Sequence, residues 1–488
     1  MRDEIASFPA LRPHQRHAWH AFLVQVGAVA LIRSGRTDPP TDEDSWRDLL
    51  LALTPDAPGA WSLVAPPDRA ALLQPPLTSG LKDLRKRIPT PDALDMLVTS
   101  RNHDLKSEVM VEAQADDWLF ALLTLQTMQG VFGAGNYGVS RMNGGYANRP
   151  AVGVVSSGGP GADVRRDMLR LIALRDDLSA GFDPERGLAL VWLAAWDGAT
   201  ALRPSELDPF YVEICRRVRV VEEDGRIVAY AGGSKAARVA PFPGGVTGDA
   251  WTPIVAGKDG SLKALTVDAG GFGYRRMVQL IFGIDPFTRS RLSRIVTDDA
   301  KEGLAFVSRA LTRGEGKTEG LHERRVPVSN VAGRFMSQGA TDRLAQAATD
   351  RVTIAGEVQN RVLKEALFAL FDNGPDAVDS KDRGAERRAK AFLARFDRAV
   401  DLTFFPDLWA EFEVDGEDAR AAKRSDWVAA LVMKTARGLL DDADRGASKA
   451  VARRYRARAR ADAVFWDAAR KNPRIGPHLP ERSRDEGA

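Results

Sequence analysis

One cysteine, Cys215, among 488 residues excludes an intrachain disulfide and any CxxC zinc site, and suits a reducing cytosol. Histidine is scarce too, with six in the chain. His14, His17 and His20 are spaced by three, so they drift round a helix instead of sharing a face, and packing or capping is expected of them instead of metal binding. His322-Glu323 opens like HExxH, but the closing position is Val326. No serine stands in a G-x-S-x-G elbow, and Ser100, His103 and Asp104 in TSRNHDLKSE form no evident nucleophile–base pair. Long apolar runs are missing as well. The stretch AFLVQVGAVALI at 21–32 is well short of the ~20 residues a membrane span needs. It lacks a cleavage site, and Ser34-Gly35 ends it as a helix cap would. A cytoplasmic, soluble protein with no membrane partner, metal or cofactor is expected. Net charge is small, 69 Lys and Arg against 66 Asp and Glu.

Two stretches imitate nucleotide sites. LTRGEGKTEGLHERRVPV at 311–328 contains Gly316-Lys317-Thr318, the tail of a P-loop. A P-loop needs a glycine five residues earlier, so that successive N–H groups wrap the phosphates, and that position is Leu311. The preceding KEGLAFVSRAL places Leu304, Val307 and Leu311 at helical spacing, which predicts a helix where a P-loop requires a strand. GAGNYG at 133–138 fits G-x-G-x-x-G. It follows the helical run DDWLFALLTLQTMQGVF, leads into no helix signal, and meets no Asp or Glu between Arg141 and Gly161 to hold a ribose.

The length suggests two to three domains. Helices are expected at 13–33, at EDSWRDLLLAL, and at 91–98, 115–130 and 161–178. From residue 188 the period changes: LALVWLAAW, YVEICRRVRVV and RIVAY read as strands, the last two joined by an EEDG turn. WTPIVAGKDGSLKALTV predicts a second hairpin with Gly257-Lys258-Asp259-Gly260 at its tip. After about 335 the pattern is helical throughout, at roughly 340–371, 382–400, 417–440 and 444–470. The expected fold is α+β: a mixed domain over 1–335 with long loops, then a four-helix bundle over 336–488.

Two features remain. The stretch 130–161 is glycine-rich with little regular signal. It either approaches a ligand closely through its backbone or makes structural turns only. Asn136, Tyr137, Arg141, Asn143, Tyr146 and Arg149 would supply donors and stacking faces to a nucleic acid. Between 445 and 461 lie seven Lys or Arg and no acid, with Lys449, Arg453, Arg456 and Arg460 on one helix face. That face is a phosphate track or a solvated surface; spacing does not choose between them.

FPALRPHQRHAWHAFLVQVGAVAL, NHDLK, GAGNYGVSRMNGGYANRP, AAWDGATALRPSELDPFYVEICRRVRV and GEGKTEGLHERRVP resemble the CasA family, the large subunit of the type I-E CRISPR Cascade, over most of the chain. The resemblance implies a non-enzymatic subunit that reads the protospacer-adjacent motif in duplex DNA, promotes strand separation and recruits a helicase–nuclease in antiviral defence. Its partners would be CRISPR RNA, double-stranded target DNA, the other Cascade subunits and that helicase–nuclease. It places the DNA-reading glycine loop at Gly133, Gly135 and Gly138, extending to Asn143, Gly144 and Gly145, and a minor-groove lysine at Lys258. RNA contacts would fall at Asn102, His103 and Lys106 within 99–113. A strand-separating wedge would lie around 328–334, with Asn330 the residue chosen, and the basic face of Lys449, Arg453, Arg456 and Arg460 would track DNA. Some family members carry a CxxC zinc element, which one cysteine cannot make. Family members also run some tens of residues before the point matching Met1, so either Met1 is an internal start or an N-terminal segment is absent. The alternative is a stand-alone nucleotide-dependent enzyme using the glycine-rich loops, and turnover of a nucleotide by the purified chain distinguishes it.

Overall fold

The computed structural model describes residues 7–97, 110, 112–299, 303–314, 317–371, 383–446 and 451–480. The chain divides into two units, one comprising Met1–Phe272, Gln279–Ile295 and Lys301–Val326, the other Gly273–Val278, Val296–Ala300 and Pro327–Ala488.

Helices of the first unit are α1 (Arg16–Arg33), α2 (Glu43–Leu51), α3 (Ala115–Met128), α4 (Gly159–Ala173) and α5 (Arg175–Leu178). Its strands are β1 (Lys86–Ile88), β2 (Ala151–Val155), β3 (Leu188–Leu190), β4 (Leu207–Val212), β5 (Arg217–Glu223), β6 (Arg226–Gly232), β7 (Ile254–Ala256), β8 (Leu262–Ala264), β9 (Phe287–Thr288), β10 (Ala305–Gly314) and β11 (Lys317–Pro327). They form small sheets in the orders β1-β6-β5, β11-β10-β2, β3-β4 and β8-β7-β9. The core forms round α1, which is apolar on every side: Ala18, Phe22, Val24, Val26, Val29 and Leu31 are all buried. A helix of that kind must be enclosed, and α1 packs against α2, α3, α4 and β4. Trp118, Trp192 and Trp196 complete the core.

The second unit is helical, with α6 (Tyr274–Phe282) beginning among its residues and ending among those of the first. Then come α7 (Asn330–Ser337), α8 (Thr341–Glu357), α9 (Lys364–Phe371), α10 (Arg383–Phe412), α11 (Glu417–Ala430), α12 (Arg437–Arg445) and α13 (Val451–Lys471). A π-helical turn, Val358–Leu363, joins α8 to α9, and another, Leu431–Ala436, joins α11 to α12. The two turns pack together, so each long helix widens where the other meets it. The result is the expected α+β class with four long C-terminal helical rods, preceded by the short α7.

Several local expectations give way. The helix expected at 301–311 is the strand β10. Leu304, Val307 and Leu311 are buried, but so are Ala305, Phe306, Ser308, Ala310 and Thr312. A strand covered on both faces carries no alternation, so its apolar residues imitate a helix. The helix expected at 91–98 is reduced to a 3-10 turn, Pro91–Ala93. The run 188–196 is a strand only to Leu190 and then turns through Val191–Leu193. The run 211–221 breaks at 213–216, where Gln126 Oε1 accepts the N–H groups of Cys215 at 2.9 Å and Arg216 at 2.8 Å in place of a sheet neighbour. Within 130–161, expected to lack regular structure, lies β2, and α4 opens at Gly159.

The helical unit buries a charged pair that a third, partly exposed charge joins. Arg351 and Glu411 are each 1% exposed and pair at 3.0 Å, Arg424 joins Glu411 at 2.7 Å, and the Arg351 guanidinium lies 4.6 Å over the Trp427 ring. Removing the shared carboxylate strands a buried cation. Glu411→Ala is expected to cost about 3–5 kcal/mol, read as a shifted urea midpoint of the full chain.

Candidate nucleic-acid interface

The glycine stretch is a loop folded back on itself between α3 and β2. Val131 N–H donates to Gly145 O at 3.0 Å, Val139 N–H to Gln129 O at 2.8 Å, and Arg149 N–H to Met128 O at 2.9 Å. Its glycines do different things. Gly130 and Gly138 are required by packing: a β-carbon on Gly130 would stand 2.1 Å from Ala147 O, and one on Gly138 2.1 Å from the Gly130 carbonyl carbon. Gly133 (φ 87°) and Gly144 (φ 78°) adopt left-handed backbone with nothing within 4 Å of an added β-carbon, and both are exposed. Gly135 (φ 79°) is left-handed too, and its carbonyl accepts Ser234 N–H at 2.9 Å. Asn143 is left-handed at φ 52°, and its side-chain oxygen accepts the Phe242 N–H at 3.0 Å. Gly145 N–H closes the turn onto Met142 O at 2.8 Å. The loop thus offers bare backbone at its tips over a braced base.

Buried charges do the bracing. Arg141 and Arg149, expected as donors to nucleic acid, are instead internal. Arg149 forms two hydrogen bonds to Asp249, 2.5 and 2.9 Å, and Arg141 lies 4.2 Å over the Tyr211 ring while donating to Tyr211 O at 3.1 Å. Their neighbours 211–213 and 249 lie far off in sequence, so local reading could not find the pairing. Arg216 reaches the carbonyls of Tyr137 and Gly130. Glu213 Oε1 accepts the Ser140 N–H at 2.5 Å, and Ser140 Oγ shares a 2.7 Å hydrogen bond with the Tyr211 hydroxyl. Burial works against the charge of Asp249, yet Arg149 overrides it and holds the carboxyl well below its ordinary range. Glu213 forms no ion pair among the described residues, and burial pushes it upward against the pull of nearby Arg141. Burial also raises the Cys215 thiol to about 11, which leaves it inert. Gly130, Gln126, Glu213, Arg216 and Asp249 were missed as supports. The signal available was charge within an apolar run, Glu213, Arg216 and Arg217 in YVEICRRVRVV.

Lys258 is exposed at the expected hairpin tip. Gly257 N–H donates to Ser261 O at 2.7 Å, Gly260 takes φ 77°, and Asp259 Oδ1 accepts the Ser261 N–H and hydroxyl at 3.1 and 2.6 Å. The hairpin and the glycine loop meet: Ala264 of β8 is buried with Val139, Met142 and Cys215.

Asn102, His103 and Lys106 lie outside the described residues; the described residues Leu97 and Met110 on either side are held by carboxylates. Asp95 Oδ1 accepts the Leu97 N–H at 2.9 Å and Asp92 Oδ2 the Met110 N–H at 2.8 Å. Arg12 bridges both carboxylates at 3.0 Å, and His14 Nε2 donates to Asp95 at 2.7 Å. Asn330 is exposed as the first residue of α7, behind the Ser329 cap. Lys449 lies outside the described residues. Arg453 and Arg456 are exposed without an ion pair among the described residues, whereas Arg460 is half-buried. Arg445 pairs with Asp442 within α12, and Arg454 and Arg458 of α13 are held by Asp444 and Asp441 of α12, so part of the basic run is neutralised. The GEGKT stretch runs from strand β10 into strand β11, whereas a P-loop opens a helix; the nucleotide cradle fails on topology as well as on Leu311. Among the described residues no His, Cys, Asp or Glu group could hold a metal, and no helix is long and apolar enough to cross a membrane.

No family model matches the sequence, and no curated protein does. Solved structures do match the fold. CasA of Thermus thermophilus aligns with TM-score 0.61 at 15% identity over 93% of this chain and 92% of its own. Cse1 of Thermobifida fusca gives 0.60 at 16% over 96% and 91%. A chain of a CRISPR RNA-guided surveillance complex gives 0.59 at 12% over 94% and 92%. The fold implied by the sequence resemblance is the fold found.

Two substitutions separate the kinds of glycine. Gly133→Ala adds only backbone strain, about 1–2 kcal/mol. Gly138→Ala forces the loop apart and is expected to cost about 1–3 kcal/mol by overpacking, with the melting temperature of the full chain as readout. Glu213→Gln tests the buried carboxyl. Because its folded pKa is raised, Glu213 contributes stability that is present below the unfolded value of about 4.3 and lost as pH rises through the folded one. The stability advantage of the Gln variant should therefore grow with pH from about 4.3 and then level off, in urea titrations at stepped pH.

Proposed function

We propose that this chain, which has the CasA fold, is the non-catalytic large subunit of a type I-E CRISPR RNA-guided complex. In this reading it recognises the protospacer-adjacent motif in duplex DNA, promotes strand separation and recruits the helicase–nuclease for target degradation in the cytoplasm. One observation carries the reading: bare left-handed backbone at Gly133 and Gly144 and the exposed Lys258 belong to two elements packed against each other through Val139, Met142 and Ala264.

The physical logic is that of minor-groove reading. The groove is narrow and its donor–acceptor pattern degenerate, so a few contacts suffice, and glycine backbone approaches where side chains would clash. Lys258 supplies a cation at the tip of the β7–β8 hairpin, which β9 extends to a three-stranded sheet. Base pairing with the guide reads the remaining sequence, which leaves the protein a short duplex flag. Guide-RNA contacts at Asn102, His103 and Lys106 would be aimed by the Asp92 and Asp95 clamp. Strand separation is assigned to the region of Asn330, where an exposed asparagine stands at a helix N-terminus. Arg453 and Arg456, with Lys449 and Arg460, would follow DNA phosphates.

In a reconstituted complex, Lys258→Ala should weaken discrimination of the flanking motif by about 1–3 kcal/mol, measured as the ratio of affinities for duplexes with and without it. Unchanged discrimination would leave only a structural role in assembly. Arg453→Ala with Arg456→Ala should weaken binding uniformly across sequences and lower the salt slope by about 1 per lost contact, while the purified chain alone turns over no nucleotide.

A further inference from the structure

A cavity of 350 Å³ lies in the first unit, lined by none of the positions assigned above to DNA or RNA binding. Its walls are α1, the first turns of α4 and one face of the β11-β10-β2 sheet. Pairing sets Gly153 opposite Val307 and Ala151 opposite Arg309, and these four residues line the space. The volume falls within the range of small-molecule sites.

Gly153 sits mid-strand in this floor. Its φ is ordinary, no bulge interrupts the register, and an added β-carbon would meet only Trp251 Cδ1 at 3.9 Å. Neither backbone nor packing requires glycine there, which leaves close approach of a ligand as the reason for it. Two ring nitrogens of wall residues, His17 Nε2 and Trp19 Nε1, have no hydrogen-bond partner among the described residues, but they have almost no surface open to the cavity. Buried polar groups are ordinarily bonded. Asp163 Oδ1 accepts from Ser156 N–H and hydroxyl at 2.7 and 3.1 Å, while Oδ2 takes no hydrogen bond among the described residues. At the rim Arg16 and Arg325 are exposed and unpaired among the described residues, whereas Glu323 engages Arg309 at 2.6 Å.

Aromatic walls, a carboxyl with one oxygen spare among the described residues, and two spare guanidiniums at the mouth make one combination. We propose that the cavity binds a nucleoside 5′-phosphate, with the base over Gly153 against Trp19 and Trp251. Its polar edge meets Asp163, and its phosphate meets Arg16 and Arg325. The nucleotide is either free or an unpaired member of a bound strand. The site uses none of the residues assigned to DNA reading and stands independently of that function.

The test titrates AMP, GMP, CMP and UMP, their nucleosides and inorganic phosphate into the full chain, following tryptophan fluorescence and heat. A single-stranded oligonucleotide carrying 2-aminopurine is titrated in parallel. At least one monophosphate or the oligonucleotide should bind, the first outcome identifying a free nucleotide and the second a strand. Gly153→Val, which fills the floor, should weaken binding by about tenfold or more with an unchanged melting temperature. Arg16→Ala with Arg325→Ala, both on the surface, should weaken the phosphorylated ligand about tenfold and spare its nucleoside; this pair decides the matter if the valine variant does not fold. Absence of binding by every probe, binding of inorganic phosphate alone, or wild-type affinity in both variants overturns the proposal.

Discussion

The buried pair Arg149–Asp249 is the contact on which the candidate DNA-reading surface depends. Arg149 ends the glycine loop and takes its own N–H to Met128, the last residue of α3. Asp249 accepts the Trp251 N–H at 3.1 Å and the Thr252 hydroxyl at 3.0 Å, at the entry to the hairpin that carries Lys258. One ion pair therefore fixes the loop base and the hairpin base to a common helix end. Two charges leave water only with good geometry and further hydrogen bonds, and both are present. An apolar pair of equal volume would give comparable stability but would not set the direction of either segment.

The same device recurs elsewhere in the first unit. Asp92 and Asp95 hold the ends of 98–109 through Arg12 and His14, and Gln126 takes two backbone N–H groups where β4 and β5 part. Irregular backbone needs partners that a sheet or helix would otherwise supply, and a chain built from small sheets and long loops obtains them from buried polar side chains. The candidate DNA-reading positions then sit on loops whose bases are braced by buried charges.

Glycine had two meanings that the sequence could not separate. GAGNYG matched a dinucleotide fingerprint letter for letter, yet Gly138 exists because Gly130 crosses beside it, and Gly133 because the backbone turns left-handed in open solvent. Spacing along the chain carries neither fact. The basic run was legible as composition, but the pairing of Arg454 with Asp444 and of Arg458 with Asp441 depends on α12 lying beside α13.

Period and local chemistry were enough to dictate the enclosed helix α1, the turns at EEDG and GKDG, the helical C-terminal half and the α+β class. All of these depend on neighbours a few residues apart. Long-range packing was needed to make β10 a strand, because burial on both faces erases alternation. It was needed too to turn Arg141 and Arg149 inward, because their partners lie about seventy and a hundred residues away. The cavity over Gly153 is of the same kind, since an empty volume belongs to several elements at once and to no segment of the chain.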